Sequence, residues 1–248
     1  MTKAGAGLFA MVLALAGTPE CREKIPLQVG AGCRIVAIGD SITRAGGYLR
    51  AMDAVFARQY PALKIQPIVN VGISGQKAED LVKRFDKDVV RHKPDIVTIS
   101  IGINDVWHRL KAPHDPKVLE AYEANLDEMV RMAQEAGIKV LLVAPTVIDE
   151  DPASEGNKRL ATYVEAGKRV AKRRGCGYAD LHALFLKAIE SHKKEHPDAG
   201  PKGFLTSDGV HMKPPGDALM AVGILRAFGV PDEKIQATSL ETVFPGRP

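Results

Sequence analysis

Hydrophobic and polar positions follow two alternating periods along this 248-residue chain. Short β-branched runs stand at residues 34–39 (RIVAIG), 65–71 (IQPIVNV), 95–101 (DIVTISI), 139–144 (KVLLVA) and 177–180 (GYAD). The middle runs are nearly continuous in Val and Ile, as strands covered on both faces should be. Helical patterns separate them, at about 47–60, 78–91, 116–136, 157–174 and 181–195, with a last helix at about 215–228. Gly137 and Gly175 stand where two of these helices would end. Regular strand and helix alternation predicts an α/β fold in which right-handed crossovers wind a five-stranded parallel sheet into a three-layer α/β/α sandwich. Pro67 limits the regularity of the second strand. Open sheets of this kind hold ligands beyond the carboxyl ends of their strands, so residues just after a strand are the place to look for chemistry.

Composition narrows the picture. A chain 45% hydrophobic and 26% charged has material for one sizeable core, and one catalytic domain is the simplest expectation. The net charge of +4 comes from 34 basic and 30 acidic residues with no long run of one sign, which argues against nucleic acid as a partner. Aromatic residues, at 5%, leave little from which to build a stacking platform for bases. The count of three cysteines argues against a disulfide framework; Cys33 and Cys176 each stand just before an expected strand and read as small buried thiols, with their pairing left open. With no CxxC and no HExxH, no metal is expected.

The N-terminus differs from the rest. Lys3 precedes a small and apolar stretch, residues 4–16, that ends in Ala14-Leu15-Ala16 and reads as a signal peptide cut after Ala16. That reading makes the mature protein secreted or periplasmic. The alternatives are a first helix of the folded domain and an uncleaved membrane anchor, for which the run is short. Glu20 occupies the position before Cys21 where a lipoprotein signal wants a small residue. The expected organisation is a signal peptide (1–16), a lead-in (17–32), a catalytic domain (33–230) and a peripheral tail (231–248).

Four segments lie after strands or in the final loop before the last helix. Gly39-Asp40-Ser41-Ile42 follows the first strand, and Gly72, within Val71-Gly72-Ile73-Ser74-Gly75, follows the second. Gly102-Ile103-Asn104-Asp105 follows the third, and Ser207-Asp208-Gly209-Val210-His211 precedes the last helix. Each block alone is a common triplet or pair; the four in this order are specific. Together they resemble the four blocks of the SGNH/GDSL hydrolases, with Ile42 in place of the leucine of GDSL.

The resemblance implies the flavodoxin-like SGNH fold and a serine ester hydrolase that needs no cofactor. It makes Ser41 the nucleophile, His211 the base that takes its proton, and Asp208 the carboxylate that orients the imidazole. It also implies an oxyanion hole of the Ser41 and Gly72 backbone N–H groups and the Asn104 side-chain amide. Asp40 and Asp105 either shape these loops and the substrate pocket or serve as turn and cap residues. Trp107 and His108 either line the pocket or pack against a loop. His92, His114, His182, His192 and His196 read as solvated side chains, and Met212 and Pro214 as the mouth of the site. The expected substrate is a small-molecule or carbohydrate ester, with short acyl groups favoured. Lysophospholipase, thioesterase and acyltransferase activities use the same residues, and a noncatalytic carbohydrate-binding module is the rival outside enzymology. Oligomeric state is open.

Overall fold

The structure, a computed structural model, describes residues 28–244. The expected signal peptide, residues 1–16, and Cys21 lie outside the described residues. The sheet contains five parallel strands: β1 (Ile35–Gly39), β2 (Val69–Asn70), β3 (Ile96–Ser100), β4 (Lys139–Val143) and β5 (Gly177–Ala179). Their spatial order is β2-β1-β3-β4-β5. Every residue of β1 and β3 is buried, which explains the lack of polar alternation in their sequences. The register sets Gly39 beside Ser100 and Ser100 beside Val143, so the loops after these strands leave the sheet in one row. The winding direction reverses between β1 and β3, the position at which open sheets of this kind bind their ligands.

Nine α-helices complete the described fold: α1 (Ser41–Ala45), α2 (Gly47–Gln59), α3 (Ala78–Asp88), α4 (Ile103–Trp107), α5 (Pro116–Glu135), α6 (Glu155–Arg174), α7 (Leu181–Glu195), α8 (Pro214–Ala227) and α9 (Asp232–Gln236). Helices α2, α8 and α7 pack together, as do α3, α5 and α6, giving the two outer layers. Helix α8 is buried along most of its length and is apolar nearly all round, as a helix inside the core must be. Among the described residues no helix is long and apolar enough to cross a membrane.

Three differences from the sequence reading matter. The second strand shrinks from the expected 65–71 to Val69–Asn70, because Pro67 offers no N–H and the Ile68 N–H donates to Asp53 Oδ1 at 3.2 Å. Short helices α1 and α4 start directly after β1 and β3, where loops were expected. The C-terminal segment is packed rather than peripheral: α9 and the turn Leu240–Val243 bury Ile235 and Leu240, and Arg58 of α2 donates to the Thr238 carbonyl. Cys33 and Cys176 are free thiols, the first buried and the second half-buried.

Candidate active site

Ser41 is the first residue of α1, immediately after the β1 turn. Asp40 caps that helix, accepting the Ile42 N–H at 3.0 Å, so the serine is set on a rigid helix start at the carboxyl edge of the sheet. The Ser41 Oγ lies 2.9 Å from His211 Nε2, across 170 residues of sequence. On its other side the His211 ring meets Asp208, with Nδ1 to Oδ2 at 2.7 Å. Asp208 Oδ1 accepts the backbone N–H groups of Val210 (3.0 Å) and His211 (2.8 Å), so one carboxylate fixes both the loop and the ring it carries. Burial pushes the Asp208 carboxyl up, but the His211 ring and the two backbone donors together outweigh it and hold the group at about 2. A carboxylate ionised at all ordinary pH values keeps the imidazole proton on Nδ1 and leaves Nε2 free to accept from Ser41.

The three expected oxyanion donors come from adjacent strand ends. The Ser41 N–H is among the first of α1, where a helix leaves its donors without intrahelical acceptors. Gly72 sits where no side chain fits: a Cβ there would approach Arg44 N to 2.3 Å and the Thr43 carbonyl carbon to 2.7 Å. Its N–H donates to Asn70 Oδ1 at 2.9 Å, while Asn70 Nδ2 donates to the Thr43 carbonyl at 2.7 Å. Asn70 thus ties the β2 end to α1. Asn104, in α4, is buried and gives one amide hydrogen to the Gln76 carbonyl at 3.0 Å, which leaves its second hydrogen for another acceptor.

The structure separates the remaining four predicted pocket residues into two pairs. Asp40 and Asp105 are buried and accept backbone N–H groups at helix starts. Asp105 accepts the Ala78 N–H at 3.3 Å, capping α3 from the neighbouring helix α4. Burial drives Asp40 up to about 6, moderated by the Ile42 N–H and the His211 ring, and drives Asp105 up to about 7, moderated by the Ala78 N–H. Trp107 is half-buried and its ring meets the His211 ring edge-on, with centroids 6.0 Å apart at 76°. His108 is exposed, its ring 5.8 Å from Trp107. Of the histidines expected in solvent, His182 is buried with Nδ1 2.6 Å from the Thr146 carbonyl. His192 stacks on Phe204 at 3.9 Å. His182 is thus withdrawn from solvent and His192 is half-buried, which their helical sequence context did not reveal.

Sequence reasoning missed the residues that hold the Asp208–His211 loop. Glu150, buried after β4, accepts the N–H groups of Phe204 (3.0 Å), Leu205 (2.8 Å) and Thr206 (2.6 Å) and the Thr206 hydroxyl (2.7 Å). The neighbouring Asp149 donates its N–H to the Gly209 carbonyl at 2.8 Å, and Gly209 itself adopts a positive φ of 97°. Asn157 of α6 braces this turn: its Oδ1 accepts the Ile148 N–H, and its Nδ2 donates to the carbonyls of Asp149 and Asp151. The only trace in sequence is a polar run, Asp149-Glu150-Asp151, in the connection that follows β4.

Comparison with known proteins gives the family and the fold. A GDSL-like lipase/acylhydrolase family model matches residues 37–219. An acetylxylan esterase of Geobacillus stearothermophilus is 30% identical over 221 residues, 82% of this chain and 97% of that protein. Its crystal structure superposes with a TM-score of 0.72 over 83% of this chain and 98% of that one. LAE5, an alpha/beta hydrolase enzyme from the metagenome of Lake Arreo, superposes at 0.71 with 30% identity, over 82% of this chain and 98% of that one. The Bacillus subtilis lipoprotein YqeF is 27% identical over 80% of this chain and 93% of that protein. The chain belongs to the GDSL-like lipase/acylhydrolase family and is a carboxylic ester hydrolase.

Proposed function

We propose that the protein is an exported serine esterase that removes small acyl groups, acetyl foremost, from a carbohydrate or similar alcohol. The observation that carries this reading is the unbroken hydrogen-bonded line from Ser41 through His211 to Asp208. In the acylation step Ser41 Oγ attacks the ester carbonyl and its proton passes to His211 Nε2. The imidazolium, steadied by Asp208, then protonates the departing alcohol as the C–O bond breaks. Water repeats the sequence on the acyl-enzyme, losing its proton to His211 and releasing the acid and the free serine. The oxyanion of each tetrahedral intermediate would be held by the N–H groups of Ser41 and Gly72 and the Nδ2 of Asn104, the Gly72 N–H being shared with or exchanged from Asn70. One such donor is worth about 2.7 to 4 kcal/mol in other hydrolases.

The relatives support the acyl preference. Acetylxylan esterases of two bacteria and a mouse homolog of an isoamyl acetate-hydrolyzing esterase share acetyl as the acyl group while their alcohols differ. Variants of the Geobacillus enzyme described as catalytic mutants replace a serine, an aspartate or a histidine, the last two three residues apart, as Asp208 and His211 are. Export rests on residues 1–16. Ser41→Ala, assayed on p-nitrophenyl acetate and acetylated xylo-oligosaccharides, is expected to abolish turnover while retaining the fold. Undiminished turnover in that variant overturns the mechanism. Faster cleavage of long acyl chains than of acetyl overturns the substrate class.

A further inference from the structure

Arg84 on α3 reaches under the carboxyl edge of the sheet with its side chain only 11% exposed. Its Nη1 donates to the Val71 carbonyl at 2.7 Å, its Nη2 to the Gly39 carbonyl at 3.2 Å, and its Nε to Gln76 Oε1 at 2.6 Å. Asp88, one turn on, pairs with Nη1 at 2.8 Å and balances the charge. Gly39 ends β1, while Val71 and Gln76 both stand in the segment between β2 and α3, and each of the three acceptors adjoins or holds one expected oxyanion donor. Gly39 precedes Ser41 by two residues. Val71 contributes the carbonyl of the very peptide whose N–H is that of Gly72. Gln76 offers its own carbonyl to Asn104 Nδ2.

We infer that Arg84 is a positioning residue of the oxyanion hole, fixing at one guanidinium the end of β1 and the segment between β2 and α3, next to or within which Ser41 and Gly72 lie and against which Asn104 is held. The inference rests on the serine-esterase reading above. Two physical effects follow from the placement. The planar fork sets the relative positions of β1, β2 and α3 ends by directed bonds, which a single ammonium cannot do. A cation on the Val71 carbonyl also polarises the Val71–Gly72 peptide, since hydrogen bonds in series strengthen one another, and makes the Gly72 N–H a better donor to developing negative charge. Arg84 touches no reacting atom in this arrangement; it acts through the backbone.

Such a role separates kcat from KM. Misplacing the donors weakens the transition state more than the bound ester, so Arg84→Met is expected to lower kcat about 10- to 100-fold while KM stays within about threefold. Arg84→Lys, keeping the charge but not the fork, is expected to fall between Arg84→Met and the parent. Rates are referred to folded protein, measured by circular dichroism melting on the full chain. If Arg84→Met keeps kcat within about threefold of the parent, or if its loss is carried by KM, the inference fails. If Arg84→Met does not fold, Arg84→Lys decides: a kcat loss beyond about threefold at constant KM supports the role, and an unchanged kcat overturns it. Ser41→Ala measured in parallel keeps the two ideas apart. Activity surviving in Ser41→Ala overturns the serine reading, whereas an inactive Ser41→Ala beside a fully active Arg84→Met overturns the role of Arg84 alone.

Discussion

Glu150 binds Thr206 twice, through its backbone N–H at 2.6 Å and its hydroxyl at 2.7 Å, and so anchors the strand of chain that leads into Asp208. A buried carboxylate with four donors is a strong tie only while it is charged and oriented. Glu150→Gln turns an amide toward N–H groups that need an acceptor, and is expected to cost about 3 kcal/mol of stability. Urea denaturation measures that loss. Because the anchored segment carries Asp208 and His211, activity per folded molecule should fall as well; full activity in the folded variant would mean that the loop is held without Glu150.

Asp208→Asn tests the orienting role. The new amide keeps an oxygen for the N–H groups of Val210 and His211 but presents an NH₂ to His211 Nδ1. The imidazole then carries its proton on Nε2 and cannot take one from Ser41, so kcat is expected to fall by up to about 10⁴-fold with little change in fold. The parent carboxyl, depressed from 3.8 to about 2, contributes stability above pH 3.8 that is lost as pH falls through 3.8 toward 2. Acid unfolding of Asp208→Asn should lack that component.

Asp105 has the opposite sign. Its carboxyl is raised from 3.8 to about 7, so the folded state binds the proton more tightly than the unfolded chain does. Its penalty is absent at low pH and grows between these values by about 1.4 kcal/mol per pH unit. Asp105→Asn keeps an acceptor for the Ala78 N–H without the charge. The variant should therefore gain on the parent between about pH 4 and 7, read as denaturant midpoints at about pH 5 and about pH 8. A difference that does not change with pH would contradict the assignment.

Gly72→Ala places a methyl group 2.3 Å from the Arg44 backbone nitrogen, and neither backbone has a free end to swing aside. Displacement of α1 from the β2 end should cost about 1 to 3 kcal/mol and carry the Ser41 N–H away from Gly72 and Asn104. Thermal melting and p-nitrophenyl acetate turnover check the two effects together, and a stable, fully active variant would remove Gly72 from the hole.

The parts of this molecule legible in the sequence are those whose signals are local. β1 and β3 announce themselves as apolar runs, and Asp208 and His211 lie within one loop, so their pairing needs only a spacing of three. Glu150, Asn157 and Arg84 left no comparable mark, because their partners are mostly backbone groups, and those of Glu150 lie more than fifty residues away. Any residue can supply a backbone N–H, so pattern cannot point to it. Side-chain competition hid another feature: Asp53 takes the Ile68 N–H and shortens β2. Asp40, for which a cap was one of the sequence readings, caps α1.

The brevity of β2 has a consequence outside catalysis. β2 is the edge of the sheet and is only two residues long, and the chain around it turns its N–H groups inward, Val71 to Ala37 and Ile73 to Gly39 of β1 and Gln66 to Cys33 just before it. The apolar β1 is therefore covered along its length by a segment that offers no long row of unpaired N–H and C=O groups outward. A second molecule finds only a two-residue strand there on which to add its own, so the fold covers the apolar run IVAIG with a neighbour too short to be extended.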